Sequence, residues 1–132
     1  MHPFFNDYNF FGFVHRGGDE EKTENTLEAF QYSADLGFVF IETDVQSTLD
    51  GEIVIFHDND LKRVADLDVK ICDLTYKEIQ GIELINGGKI PTLNETLISF
   101  PKLRFNIDIK VDSAVQETIN IIKNQRVLER VC

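Results

Sequence analysis

Carboxylate side chains recur at alternate positions in two apolar segments of the sequence. Glu42 and Asp44 lie two residues apart in FVFIETDV, so on a strand they share one face. In NIDIK, Asp108 shares a face with Lys110 in the same way. Like charges at this spacing on a buried strand repel and lose hydration unless a cation lies between them. The pattern predicts a site for Mg²⁺ or Ca²⁺, which prefer oxygen ligands, although any one of these acids alone fits a solvated strand end.

Two histidines end apolar runs in a similar way. His15 closes FGFVH, and His57 closes EIVIFH. A single histidine at a strand end is more often a structural hydrogen-bonding group than a catalyst. In parallel α/β folds, however, sites form at the C-terminal ends of strands, where these histidines and the carboxylates would meet. The sequence predicts that His15 and His57 act as general base and general acid, in either assignment.

Two basic residues accompany these groups. Arg16 carries a planar guanidinium that suits a phosphate, although a surface salt bridge explains it equally well. Lys110 could pair with Asp108 or contact a phosphate oxygen. Glu24 and Asn25 are interpreted as residues of a helix start, with Asn25 as the N-cap.

Alternating strands and helices must position these residues. Short apolar runs predict four strands, at Phe10–His15, Phe38–Val45, Glu52–Asp58 and Leu103–Val111. The segment RVLERVC, from residue 126, predicts the start of a fifth. Strand–helix alternation with short connections predicts an α/β fold with a parallel sheet.

Capping signals mark the helices between the strands. A capping residue followed three positions later by Glu or Gln occurs at Asn25–Glu28, Thr75–Glu78, Thr92–Glu95 and Ser113–Gln116. Gly37 should end the first helix, and Pro101 should stop the one that begins at Thr92. The last helix should bury a stripe of Val115, Ile119 and Ile122.

The composition limits the class of protein. The 132 residues are 42% hydrophobic, which suits one globular domain, and the net charge of −10 disfavours binding to nucleic acid. The longest apolar runs have about five residues, whereas about 20 are needed to span a bilayer, so no stable membrane insertion is expected. Cys72 and Cys132 form no disulfide framework, and the N-terminus lacks a secretory pattern. A cytoplasmic location is therefore expected.

Taken together, the motifs resemble those of the glycerophosphodiester phosphodiesterases. HRG, ENTLEAF, GFVFIETDVQSTLDGEIVIFHD, PTLNETL and NIDIK carry the resemblance, which runs from about residue 11 to the end of the chain. It implies a TIM (β/α)₈ barrel and a divalent metal, Mg²⁺ or Ca²⁺. It also implies metal-dependent hydrolysis of a small-molecule glycerophosphodiester to sn-glycerol 3-phosphate and an alcohol, with water or the glycerol 2-hydroxyl as nucleophile.

The resemblance implies roles for the candidate residues. Matched to the family's motifs, His15 and His57 are the acid–base pair, Arg16 contacts the phosphate, and Glu42, Asp44 and Asp108 bind the metal. Lys110 is a second candidate for the phosphate. Asp108 stands where the family usually has a glutamate, so its carboxylate is set back by one methylene and could bind through water.

The chain is shorter than the implied barrel. A (β/α)₈ barrel needs about 200–250 residues. Residues 1–132 are expected to form a single incomplete domain, with about the first half of the barrel (four parallel strands and the start of a fifth) and a small inserted lobe at about 61–90. Open edges would expose unpaired backbone and apolar surface. The other half would then come from a longer chain or from elsewhere, for instance from a homodimer through these edges.

Other functions fit parts of the pattern. Lysophospholipase D or phospholipase C-like activity would use the same site on another substrate. A non-catalytic fragment that self-associates, or a structural metal-binding domain, would be a different class of protein. The paired histidines argue against the last of these, because a structural cation site needs neither of them.

Overall fold

The computed structural model describes residues 2–132, in which short strands and short helices alternate. The strands are β1 (Phe13–His15), β2 (Phe40–Ser47), β3 (Ile53–Ile55) and β4 (Arg104–Ile109). The α-helices are α1 (Leu27–Asp35), α2 (Lys62–Ala65), α3 (Tyr76–Gln80), α4 (Leu93–Ser99) and α5 (Val115–Asn124). Short 3₁₀ turns cover Pro3–Phe5, Ile71–Asp73, Asp112–Ala114 and Leu128–Arg130.

Strand β2 is the centre of the sheet, with β1 parallel on one side and β4 parallel on the other. The register sets His15 opposite Glu42, and Asp44 opposite Asp108. Strand β2 is buried over nearly its whole length, as expected for the middle strand of a parallel sheet covered on both faces. Because the three parallel strands run in one direction, the polar residues near their C-terminal ends gather at one edge.

Strand β3 departs from the predicted parallel arrangement. It pairs antiparallel with the end of β2, where Val45 lies opposite Ile55 and Ser47 opposite Ile53. Only residues 48–52 separate the two strands, whereas a parallel connection needs a crossover of about a dozen residues or more. Gly51 takes a left-handed conformation in this short turn, with φ +83°. The prediction of four parallel strands was therefore wrong, because β2 and β3 form a hairpin and β4 is the second parallel neighbour of β2.

The end of the chain lies beside β4, where the sequence predicted the start of a fifth strand. Val131 pairs in parallel with Phe105 through a single bridge. The Cys132 amide donates to the Phe105 carbonyl at 3.0 Å, and the Ile107 amide donates to the Cys132 carbonyl at 2.8 Å. Since Phe105 also pairs with Ile41 of β2, these contacts lie on the side of β4 away from β2.

Several predicted helix ends are confirmed. Thr75 and Glu78 form the reciprocal capping box at the start of α3. The Thr92 hydroxyl accepts a hydrogen bond from the Glu95 amide at 2.9 Å and caps α4, which ends at Ser99, before Pro101. Gly37 follows α1 in the left-handed region, at φ +90°, where a residue with a side chain would be strained.

Two predicted caps are wrong. Helix α1 is capped by Thr26, not by Asn25, and the Thr26 hydroxyl accepts from the Ala29 amide at 3.2 Å. Helix α5 starts after the 3₁₀ turn Asp112–Ala114, so Ala114 takes the cap position and Ser113 does not.

The predicted stripe of α5 is also wrong for two of its members. Val115 is 40% exposed and Ile119 is 37% exposed, whereas Ile122 packs against the sheet cluster. The buried positions are Thr118 and Ile121. Because the 3₁₀ turn places Ala114 in the core, the residues four and seven positions later, Thr118 and Ile121, face inward as well.

The apolar side chains form two clusters. The sheet cluster lies between the strands and α1, α4 and α5, and includes Ile41, Phe105 and Leu97. The lobe cluster lies under the segment that follows β3, and includes Val54, Leu61 and Ile79. Within residues 2–132, none of the helices has the length and apolar character needed to cross a membrane.

Candidate functional site

Three carboxylates meet at the C-terminal edge of the parallel sheet. Glu42, Asp44 and Asp108 each offer an oxygen within 4.8 Å of the other two. Alternation along β2 places the first two on one face, and the register between β2 and β4 brings Asp108 beside Asp44. The Asp44 side chain is 1% exposed, whereas that of Asp108 is 54% exposed. An all-oxygen set that is open on one side could hold a divalent ion such as Mg²⁺ or Ca²⁺.

The two oxygens of Asp44 have different partners. Oδ2 accepts a hydrogen bond from Asn25 Nδ2 at 2.9 Å and lies 3.3 Å from Arg16 Nε. Oδ1 lies 3.0 Å from the Lys110 ammonium. Such donors offset the hydration that a carboxylate loses on burial. Oδ2 thus accepts its hydrogen bond from Asn25, with Arg16 adding an ion pair and no hydrogen bond from Nε, while Oδ1 faces the Lys110 ammonium.

Lys110 pairs with two members of the carboxylate cluster. Its ammonium lies 2.5 Å from Asp108 Oδ2, in addition to its contact with Asp44. Burial alone would lower the pKa of Lys110, but the hydrogen bonds and charges of Asp108 and Asp44 outweigh it, so the pKa is raised. Of the two possibilities that the sequence left open, the structure shows the acid pair. Phosphate contact by Lys110 stays a prediction.

Asn25 is a site residue that the sequence analysis missed. It is buried in a left-handed conformation, with φ +55°, and its side chain bonds to residues of β2. Its Oδ1 accepts from the Thr43 hydroxyl at 2.8 Å, so the amide is oriented with Nδ2 towards Asp44. The adjacent Thr26 was the signal, because two capping residues in succession leave one of them free for another role.

A tight turn after β1 places Arg16 over the carboxylates. Arg16 has φ +53°, and its amide donates to Glu42 Oε2 at 3.1 Å. Gly17 follows at φ +74°, where an added Cβ would come within 2.5 Å of the Phe30 ring, so no other residue fits. The Arg16 side chain lies 3.0 Å from Glu24 Oε1, besides its contact with Asp44. Arg16 thus sits at the cluster, and its contact with phosphate stays a prediction.

The two candidate histidines are held differently. His15 Nε2 lies 3.9 Å from Glu42 Oε2, and the His15 side chain is 72% exposed. His57 Nδ1 lies 2.6 Å from Asp58 Oδ1, and its side chain is 32% exposed. Among the described acidic residues, only Asp58 lies within 4.0 Å of a His57 ring nitrogen. A carboxylate therefore orients the His57 imidazole at close range, while the His15 imidazole is largely exposed and has a carboxylate only at 3.9 Å.

Gln46 ties the His57 segment to the face that carries the carboxylates. Its Nε2 donates to the carbonyls of His57 and Asp58, at 3.1 and 3.0 Å. Gln46 follows Glu42 and Asp44 in phase on β2, so it extends the same face by one position. The sequence analysis missed this residue, although the alternation of polar residues at 42, 44 and 46 was a signal for it.

Arg63, from α2, contacts both Asp58, the partner of His57, and Glu24, the partner of Arg16. Its Nε lies 2.7 Å from Asp58 Oδ2, and its NH2 nitrogen lies 2.6 Å from Glu24 Oε1. Burial alone would raise the pKa of Glu24, but Arg63 and Arg16 outweigh it and the pKa is lowered. Asp58 shows the same balance: burial acts upward, and the contacts with Arg63 and His57 bring its pKa below the ordinary value.

Parallel strands whose C-terminal ends carry carboxylates, a histidine and an adjoining arginine define an α/β unit with a polar site at that edge, the arrangement of barrel enzymes. Residues 15–131 match the glycerophosphoryl diester phosphodiesterase family. The chain belongs to this family.

Individual relatives agree with this assignment. "Probable glycerophosphodiester phosphodiesterase 2" of Mycobacterium tuberculosis is 41% identical over 107 residues, which cover 81% of this chain and 40% of the relative. "Lysophospholipase D GDPD1" of Homo sapiens is 38% identical over 114 residues, which cover 76% of this chain and 36% of the relative.

Solved structures share the fold. The crystal structure of the glycerophosphodiester phosphodiesterase from Thermotoga maritima matches with a TM-score of 0.78 and 35% identity, over 94% of this chain and 53% of that one. The fold is thus part of the TIM barrel of these enzymes. The chain spans about half of that structure and 40% or less of the two relatives above.

Proposed function

We propose that this chain carries the catalytic groups of a metal-dependent glycerophosphodiester phosphodiesterase, which releases sn-glycerol 3-phosphate and an alcohol. The convergence of Glu42, Asp44 and Asp108 within 4.8 Å of one another, in a chain of this family, is the observation that carries the proposal. A divalent ion held by these carboxylates would supply positive charge to the phosphate oxygens. Metal-free hydrolysis would leave these three converging acids, of which Asp44 is buried, without a role.

Arg16 and Lys110 are proposed to bind the phosphodiester. Both lie at the carboxylate cluster, and both carry charges that match the phosphate oxygens. Glu24 and Asp44 hold the Arg16 guanidinium in one orientation before any substrate arrives. Such preorganisation reduces the cost of ordering the group when charge develops on the phosphate.

His57 is proposed as the general base and His15 as the general acid. With Nδ1 donating to Asp58, the neutral His57 ring keeps Nε2 as an acceptor, and the carboxylate stabilises the cation that forms when Nε2 takes a proton. His15, beside Glu42 and largely exposed, can deliver a proton to the leaving alcohol and exchange it with solvent.

An assay of the purified protein tests this proposal. It should hydrolyse glycerophosphocholine or glycerophosphoethanolamine with Mg²⁺ or Ca²⁺ and stop when EDTA is added. His57→Ala should lower turnover by about 10²- to 10⁴-fold, the usual contribution of a general base. His2→Ala is the matched control, because His2 contacts only the N-terminal turn, at the Phe4 amide. Equal turnover in His57→Ala and His2→Ala would refute the assignment.

Lysophospholipase D activity is the second candidate, because the human relative at 38% identity carries that name. The same groups would act on a lysophospholipid, which differs in the acyl chain and not in the phosphodiester. Release of choline from lysophosphatidylcholine and from glycerophosphocholine, compared on one preparation, separates the two. A preference of about tenfold for the lysolipid would favour this second function.

The proposed partners and location follow from the edges of the sheet and the thiols. In residues 2–132, β1 pairs only with β2, and Phe13, Leu36 and Phe38 are exposed near its other edge. A homodimer through this edge is proposed, and size-exclusion chromatography with light scattering checks it, since a purely monomeric protein would exclude it. Both cysteines are free and exposed, which supports a reducing, cytoplasmic setting.

A further inference from the structure

The Lys110 side chain lies where the carboxylate cluster would hold a cation. Its ammonium is 3.0 Å from Asp44 Oδ1 and 2.5 Å from Asp108 Oδ2, and both acids belong to the cluster. The Lys110 amide donates to the Val45 carbonyl at 3.1 Å, which fixes its backbone beside β2. Only the four-carbon stem is therefore free to move.

The partners of Asp44 show which contact can be exchanged. Oδ2 is engaged by Asn25 and faces Arg16, both in the connection between β1 and α1. Among the described groups, only the Lys110 ammonium pairs with Oδ1. Because Asp44 is buried, Oδ1 would lack a partner if this ammonium left with nothing in its place. A divalent ion that replaced the ammonium would give Oδ1 a new partner.

We propose that the Lys110 ammonium is a resident cation that occupies the space between Asp44 and Asp108 and is displaced when a divalent ion binds. The ammonium is a compact charge on a flexible stem, so it can leave without movement of the sheet. Once displaced, the ammonium would stay near Asp44 and Asp108 on its stem, where it could contact a phosphate oxygen. Ion binding would thus release Lys110, the residue proposed above to bind the substrate phosphate. The inference rests on that proposed function.

Chemical labelling of the unmodified protein tests the displacement directly. Lys110 should react slowly with an acetylating N-hydroxysuccinimide ester without metal, because its ammonium is held by two acids. Saturating Ca²⁺ should speed its acetylation by about threefold or more, as read by mass spectrometry of the peptides. Lys102 is exposed and is the internal control, whose rate should not change. Equal rates at Lys110 with and without bound Ca²⁺ would overturn the inference.

Substitution of Lys110 gives a second readout. Lys110→Met keeps the stem and removes the charge, so the ion no longer competes with an ammonium. Calorimetric titration with Ca²⁺ alone should give about tenfold tighter binding. The ratio to the wild-type affinity should persist in about 0.5 M NaCl, where long-range charge effects are screened. Lys102→Met is the matched control, with unchanged affinity. A Lys110→Met affinity equal to or weaker than that of the wild type contradicts the proposal.

These readouts separate the inference from the proposed function. Metal-dependent hydrolysis with unchanged Lys110 labelling would overturn the displacement and leave the function standing. Absence of Ca²⁺ and Mg²⁺ binding by both the wild type and Lys110→Met would overturn both.

Discussion

The two sides of the candidate site are positioned by different means. The sheet side consists of Glu42, Asp44 and Asp108, whose places are set by the backbone ladder between β2 and β4. The lobe side consists of His57, Asp58 and Arg63, whose places are set by side-chain hydrogen bonds. The ladder fixes backbone positions within a buried sheet, whereas the lobe side depends on exposed or half-buried ion pairs. The comparison indicates that the side proposed to bind the ion is held rigidly, whereas the side that carries the proposed base, His57, is more adjustable.

Truncation of core side chains should have the largest effect, because it tests whether the sheet and the lobe unfold separately. Ile41→Ala in the sheet cluster and Ile79→Ala in the lobe cluster each remove a fully buried side chain, at an expected cost of about 2–5 kcal/mol. Hydrogen exchange should show lost protection throughout the chain for Ile41→Ala, and mainly in residues 61–90 for Ile79→Ala. Identical exchange patterns would show that sheet and lobe form one cooperative unit.

Asn25→Ala tests how the sheet side is oriented. Without the amide, Asp44 Oδ2 loses a buried hydrogen bond of 2.9 Å and the carboxylate can rotate. We expect metal affinity or turnover to fall by about 10–100-fold, as for other groups that orient a ligand. Asn120→Ala, on α5, is the control. Full activity of Asn25→Ala would mean that the register of the sheet alone orients Asp44.

Arg63→Met tests the link that Arg63 makes between Asp58 and Glu24. Asp58 and Glu24 lose their shared partner, so His57 and Arg16 are held less well. We expect kcat to fall by about tenfold with KM nearly unchanged, because the group positions others and does not bind substrate. Lys62→Met, whose partner is the exposed Asp66, should have no effect. A fall in melting temperature with normal kcat would instead indicate a purely structural pair.

Acid should weaken the ion pairs of Arg63 with Glu24 and Asp58, and we expect the effect on stability to be the smallest of these four. The folded-state pKa values of Glu24 and Asp58 lie below their ordinary values of 4.5 and 3.8. Such groups contribute stability that is complete above the unfolded pKa and is lost as pH falls through the folded one. Melting temperatures from about pH 6 to 3 should fall less steeply for Arg63→Met than for the wild type or Lys123→Met. Parallel curves would contradict this origin.

Local rules predicted the sheet side well. The alternation of side chains put Glu42, Asp44 and Asp108 in phase, and those oxygens do converge. The same rules misjudged β3, because an apolar run does not reveal the direction of a strand. The five-residue connection between β2 and β3 did carry that information, since it is too short for a crossover.

Long-range contacts explain most of what was missed. Arg63 lies 39 residues from Glu24 in the chain, and no local pattern links them. Asn25 was predicted to cap α1, but its neighbour Thr26 is also a common N-cap residue and takes that position. In both cases the tertiary fold chose between roles that the local sequence allows equally.

The direct pairing of β2 with β4 has a practical consequence. The chain leaves the sheet after β3 and returns to it at β4, so the length of the segment between them does not enter the strand order. Loop exchange between relatives could therefore replace residues 64–90 as a module while His57, Asp58 and Arg63 are kept. Chimaeras of this kind offer a route to altered substrate preference without redesign of Glu42, Asp44 and Asp108.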